Sequence, residues 1–301
     1  MFDPTDLYRL SGDVPELTDP VLLYHFEGFV DAGGAGRLAV GHLLAELEHR
    51  VVATFDVDRL LDYRSRRPLM TFDTDRWVDC ESPELAVHLA HDASGTPFLV
   101  MSGPEPDREW ELFVEAIGTL ATRLNVGRLV TAHGIPMAAP HTRPLGMTAH
   151  GTRPGLAAGP GSPFGRIQVP GSAAALLELR LGARGHDAVG YAIHVPHYLA
   201  QAEYPSAAVT ALEAISRGTG LVFPLDGLRD AAEKTTAEIE EQIIASTELS
   251  TAIQGLEQQY DAFNAGAERE NLMAESTPMP TGDELAAQFE RFLAERDEKD
   301  S

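Results

Sequence analysis

The sequence predicts an α/β domain built on a mixed sheet and followed by an acidic helical extension. Three observations point there. An apolar run at residues 21–26, helical spacing over 38–47 and a second apolar run at 51–55 follow in β-α-β order. That order favours a parallel pair joined by a right-handed crossover. Residues 85–89 and 98–101 flank the turn Asp92-Ala93-Ser94-Gly95 and read as an antiparallel hairpin in the same sheet. From Leu228 the apolar positions advance in steps of four and three, which is a heptad register.

The elements follow in order. Val21-Leu22-Leu23-Tyr24-His25-Phe26 is a buried strand, and the glycine-rich stretch 28–36 turns the chain into a helix carrying Leu38, Leu43, Leu44 and Leu47. After the strand at 51–55 comes the charged loop Asp62-Tyr63-Arg64-Ser65-Arg66-Arg67-Pro68. Gly103-Pro104-Glu105-Pro106-Asp107 leaves the hairpin, with Asp107 placed to cap a helix whose one face is Trp110, Phe113, Val114, Ile117, Leu120 and Leu124. Leu129-Val130 is a strand feeding the loop 131–144. The stretch 151–171 is rich in Gly and Pro; a loop of that length is usually functional or mobile. A helix at 173–181, a strand at 188–195 and a helix at 206–217 complete the domain. The heptad stripe weakens at Thr235, Gln242 and Ser246 and stops at Pro278 and Pro280, after which Thr281 and Glu284 form a capping box for a last helix. The predicted division is residues 1–225 and a helical extension, 226–301, that packs on the body or on a neighbouring subunit.

Composition excludes several classes of function. The 301 residues are 44% hydrophobic, enough for a sizeable core. The net charge is −23, and the extension alone carries nineteen acidic against six basic side chains. Phosphate backbones need clustered Lys and Arg, so nucleic acid is not an expected partner, and anionic membrane surfaces are disfavoured for the same reason. No run approaches the ~18 apolar residues of a membrane span. Cys80 is the only cysteine, which excludes an intramolecular disulfide and a cysteine-based zinc cluster. With no apolar signal core in Met1-Phe2-Asp3-Pro4-Thr5-Asp6, a cytoplasmic protein is expected.

Three stretches carry a family likeness. They are Gly28-Phe29-Val30-Asp31-Ala32-Gly33-Gly34-Ala35-Gly36; Gly103-Pro104-Glu105-Pro106-Asp107 with Trp110 and Phe113; and Gly134-Ile135-Pro136-Met137 followed by Pro140-His141-Thr142-Arg143-Pro144. Over roughly residues 20–223 the chain resembles the proteasome assembly chaperone two family, in its actinobacterial branch. The resemblance implies an α/β/α sandwich similar to nucleoside phosphorylases, with homo-oligomerisation, a trimer among the options, and protein clients. It implies no settled activity. Some members of the family dock on proteasome rings through a C-terminal hydrophobic-Tyr-X signature. This chain ends Asp297-Glu298-Lys299-Asp300-Ser301 and lacks it.

The polar constellations leave two readings open. The turn at Gly28, Asp31, Gly33, Gly34 and Gly36 could present amides to an anion at a helix N-terminus, helped by Arg37. Its spacing is neither G-x-G-x-x-G nor Walker A, and Asp31 would repel a phosphate, so tight packing is the favoured reading. His88 and His91, three apart on a strand, point to opposite faces and cannot share an ion. His194 and His197 straddle Pro196 without a carboxylate, while His133, His141 and His150 share one loop region; no metal or cofactor is predicted. In open α/β sheets ligands lie beyond the carboxyl ends of strands. There His133, His141 as a candidate acid/base, Arg143 as an anion fork, and Glu105, Asp107, Arg64, Arg66 and Arg67 could meet. The structural alternative pairs Arg143 with Glu105 or Asp107 in a subunit contact. No G-x-S-x-G elbow is present, and Cys80 sits among acidic neighbours that give no support for a nucleophile.

The expected function is therefore a homo-oligomeric, assembly-chaperone-like scaffold that binds protein partners. The alternative is a small-molecule enzyme of nucleoside phosphorylase or hydrolase type with an anion site at the sheet's carboxyl edge.

Overall fold

The computed structural model describes residues 3–12, 14–162 and 165–272. The predicted capping box at Thr281 and Glu284, with its helix, lies outside the described residues.

A 3₁₀ turn, Pro4–Leu7, precedes β1 (Tyr8–Leu10). β2 (Val21–Glu27) passes through a second 3₁₀ turn, Ala32–Gly34, into α1 (Ala35–Glu46), then β3 (His49–Phe55) and the single turn α2 (Val57–Leu60). β4 (Met70–Asp73) and β5 (Arg76–Cys80) form one hairpin; β6 (Ala86–His91) and β7 (Pro97–Pro104) form the next. Then come α3 (Trp110–Arg123), β8 (Arg128–Met137), β9 (Met147–Gly151), α4 (Ala173–Ala183), β10 (Ala188–Pro196) and α5 (Pro205–Thr219). The extension is α6 (Asp226–Ile244) and α7 (Thr247–Leu272).

Eight strands form one sheet in the order β1-β3-β6-β7-β2-β8-β10-β9. Its centre, β7-β2-β8-β10, is parallel, and the pairs outside that centre are antiparallel. Side chains alternate between two layers. Leu22, Tyr24, Leu99, Met101 and Leu129 pack with Phe113, Ile117, Leu177 and Leu181 of α3 and α4. Leu23, Val100, Val130, Tyr191 and Ile193 pack with Ala39, Leu43, Ala208 and Leu212 of α1 and α5. The chain is an α/β/α sandwich.

Four expectations need correction. β3 runs in the same direction as β2 but is not its neighbour, because β6 and β7 lie between them. The cause is in β7: Phe98, Leu99, Val100 and Met101 are all fully buried, a run apolar on both faces that belongs at the centre of a sheet. The hairpin therefore inserts beside β2 and β3 pairs with β6. Second, residues 131–137 are not loop but the second half of β8, held by pairing from Thr131↔Gly190 to Met137↔Pro196. β8 pairs with β2 only from Val21↔Arg128 to Leu23↔Val130, so its other edge is unpaired where Pro136 sits, as a strand proline requires. Third, Asp107 does not cap α3; Glu109 is the N-cap and makes no side-chain bond there. Fourth, the heptad stripe does not form one helix. It breaks at Ala245 and Ser246 and leaves its Leu249 exposed, with Ile244, outside the stripe, exposed beside the break. α6 packs on α5 and α7 turns back along the body.

Candidate functional site

The glycine-rich turn is held by its own anion. Gly33 and Gly34 adopt φ of 67° and 64°, a left-handed pair that lets the chain enter α1 at once. The Asp31 carboxylate then accepts from the amides of Gly36 at 2.9 Å and Arg37 at 3.0 Å, at the start of α1, and from Gly134 of β8 at 2.9 Å. The amides considered for an external anion thus hold Asp31 and tie α1 to β8. A Cβ at Gly134 would collide with the Ala32 carbonyl oxygen, so this junction admits only glycine. His25 lies beside it, its Nε2 3.6 Å from Asp31 Oδ2. Burial lowers the pKa of His25, although Asp31 opposes the shift, so this is a polar contact with a neutral ring and too long for a hydrogen bond.

His133 and His141 part company. Residues 129, 131, 133 and 135 of β8 face the α3/α4 side, and there Thr131, His133 and Ile135 line a groove at the carboxyl end of β2, β8 and β10. Helix α4 and the irregular segment 165–172 form walls of this groove. The groove has a volume of about 540 Å³. Burial pushes the His133 pKa down to about 4, reinforced by the neighbouring His150, so the imidazole is neutral at neutral pH. His150 Nδ1 lies 2.9 Å from Glu178 Oε1 on α4. Glu105 reaches the same wall, where its Oε1 accepts from the Ala173 amide at 2.7 Å and caps α4.

His141 and Arg143 lie elsewhere, against the extension. The Tyr198 hydroxyl accepts from the His141 amide at 2.8 Å and lies 2.7 Å from Nδ1. Burial lowers the pKa of His141, and its Nε2 is enclosed without a partner. Arg143 grips α7 through a fork, Nε to Asp261 Oδ1 at 2.9 Å and Nη2 to Asp261 Oδ2 at 2.7 Å, with Glu257 at 3.3 Å. Its partners are on α7 and not Glu105 or Asp107. Asp107 instead accepts from Arg66 Nη2 at 2.8 Å and from the Asp62 amide at 2.8 Å, which pins the charged loop. That bond takes Asp107 away from the helix start where a cap was expected. Arg66 lies over Gly28, and Arg64 and Arg67 are exposed.

The residues expected to meet at one cleft are thus divided among the groove (His133, Glu105), the α7 contact (His141, Arg143) and the β2 end (Asp107, Arg66). Among the described residues no group of three or more His, Cys, Asp or Glu is arranged to hold a metal ion. His88 makes an edge contact with His49 at 5.1 Å between ring centres, while His91 is exposed.

Sequence reasoning passed over several features. Glu178, Ile167 and Val169 line the groove; an apolar pair two apart inside a Gly/Pro stretch was the available signal. Tyr198, Glu257 and Asp261 carried none, because their partners are far off in sequence. The β4–β5 hairpin was legible in alternating apolar residues around Asp73-Thr74-Asp75. Every one of its strand residues is exposed. Leu69, Met70, Phe72, Trp77 and Val78 are 49–70% exposed, and Phe72 and Trp77 meet edge to face at 5.0 Å.

Sheet order, two helical layers and a glycine turn locked by Asp31 define the class: an α/β/α scaffold whose conspicuous polar side chains fasten its own segments. The chain belongs to the PAC2 family, whose model matches residues 25–243. This is the family whose motifs it carries. It is similar to Rv2714, a Mycobacterium tuberculosis protein of unknown function, at 46% identity over 91% of this chain and 95% of that one, with a TM-score of 0.84. A protein of unknown function from Corynebacterium glutamicum matches at 35% identity over 86% and 98%, with a TM-score of 0.81. The Mycobacterium tuberculosis proteasome-assembly chaperone homologue Rv2125 matches at 26% identity over 77% and 99%, with a TM-score of 0.71. No curated protein matches the chain.

Proposed function

We propose that this protein is a homo-oligomeric scaffold of the assembly-chaperone type, working in the cytoplasm by binding protein partners. The observation that carries the reading is the β4–β5 hairpin. A two-stranded sheet without a packed face is marginal in water, and this one exposes Leu69, Met70, Phe72, Trp77 and Val78 together. Contiguous exposed apolar side chains mark interaction sites, and Trp is enriched among residues that dominate binding energy. Membership of the PAC2 family and likeness to a proteasome-assembly chaperone homologue support the same reading. In it, residues 1–225 are the scaffold and 226–301 an extension clamped by Arg143. Self-association, with a trimer as one option, covers the hairpin, and a client is the further partner. Among the described residues no helix is long and apolar enough to cross a membrane.

Light scattering on the full chain and on Trp77→Asp tests it. The expected result is an oligomer for the parent at micromolar concentration and a smaller species for the variant, with the circular dichroism unchanged. A monomeric parent would refute self-association.

A further inference from the structure

The groove over β2, β8 and β10 is not explained by partner binding at the hairpin. We infer that it is a binding site for an uncharged amphipathic small molecule: an apolar, flat or chain-like body whose polar end hydrogen-bonds the His133 imidazole.

Size is the first support. A volume of about 540 Å³ falls within the ~300–1,000 Å³ of small-molecule sites. The second is the wall. Phe29, Val30, Ile167 and Val169 line the groove and are 40–69% exposed, so four apolar side chains at one concavity meet water. An apolar ligand would cover them. The third is His133 itself. Neither ring nitrogen has a hydrogen-bond partner among the described residues, and the half-buried ring lies on the floor of the groove. A neutral imidazole offers one donor and one acceptor, and both are open to a molecule seated in the groove. A ligand's hydroxyl, amide or ring nitrogen would complete it.

Charge sets the class. Two carboxylates line the groove, Glu105 and Glu178, against one guanidinium, Arg166, on the exposed segment. Glu105 is committed to the Ala173 amide and Glu178 to His150. The lining thus holds more carboxylate than guanidinium, and Glu105 already occupies the N-terminus of α4, which disfavours phosphates and carboxylates as occupants.

A matched pair of dyes provides the test. N-phenyl-1-naphthylamine is uncharged, and 8-anilino-1-naphthalenesulfonate has the same ring system with an added sulfonate. In fluorescence titrations of the full chain, the neutral dye is expected to bind saturably at one site per chain. The sulfonate should bind at least roughly tenfold more weakly, a difference of about 1.4 kcal/mol. Ala175→Trp, on the exposed face of α4 that borders the groove, should abolish binding; Val169→Asp, at the rim, should weaken it. Saturation with the neutral dye should move the His133 ring resonances in NMR and leave those of His141 in place. The inference is overturned by non-saturable binding, by equal affinity for both dyes, or by unchanged binding in both groove variants. Binding lost in Trp77→Asp but kept in Ala175→Trp would also overturn it, placing the dye on the hairpin. Because that variant separates the two surfaces, this inference and the self-association reading can fail independently.

Discussion

Glu105 should stabilise α4 from across the sheet, and its removal should be costly. Its carboxylate leaves the end of β7 and accepts from the Ala173 amide at 2.7 Å, the first residue of α4. Only 7% of the residue is exposed, so water replaces the lost bond poorly. A hydrogen bond to a charged group contributes about 1.5–3 kcal/mol, and a buried amide left unpaired costs about 1–3 kcal/mol. Favourable interaction of the carboxylate with the helix N-terminus acts in the same direction. Glu105→Ala should therefore destabilise the protein by about 2–3 kcal/mol, and Glu105→Gln, which keeps an acceptor, by about half that. Ser172 caps the same helix end, its hydroxyl accepting from Ala175 at 3.1 Å, and Ser172→Ala should cost about 1 kcal/mol. The two sites share one helix end, so the double variant should depart from additivity by at least about 0.5 kcal/mol. Urea unfolding followed by circular dichroism reads the parent and the four variants. A Glu105→Ala midpoint equal to that of the parent, at equal slope, would refute the long-range cap.

Two further predictions concern acid and the extension. The folded-state pKa of His133 is about 4, below the ordinary value of 6.5 for the unfolded chain. The unfolded chain takes up this proton first, so the contribution is fully present above about pH 6.5 and is lost as pH falls toward 4. Burial shifts His25, His88, His141 and His194 in the same direction. Urea midpoints from pH 7 to 4.5 should fall less steeply in His133→Gln than in the parent; parallel curves would contradict the assignment. Arg143→Ala removes the fork on Asp261 and the contact with Glu257. Limited proteolysis near Ala245 and Ser246, where the two extension helices meet, should accelerate several-fold while residues 1–225 stay resistant. An unchanged cleavage rate would show that Arg143 does not hold α7.

The sequence by itself determined the elements whose signal is local. The alternating run at 85–89, its turn and the strand after it specify the β6–β7 hairpin with no help from distant residues. The face Phe113, Val114, Ile117, Leu120 specifies α3, and the glycine stretch specifies a sharp entry into α1. The family was legible for the same reason, since its motifs are contiguous. Tertiary structure alone decided what those elements meet. β-α-β order says that β3 runs with β2, but strand neighbours follow from which strand is buried on both faces, and β7 claims that place. The pattern of residues 131–137, with its proline and glycine, reads as loop until β10 supplies a partner strand. A titratable side chain is more ambiguous still, because its environment is assembled by non-local contacts. His133 and His141 stand eight residues apart and look like one site. The strand carries His133 onto the floor of a groove, while the loop beyond carries His141 and Arg143 to Tyr198 and α7. Local sequence sets backbone conformation; long-range packing sets burial and charge partners, and therefore which side chains remain available to a ligand.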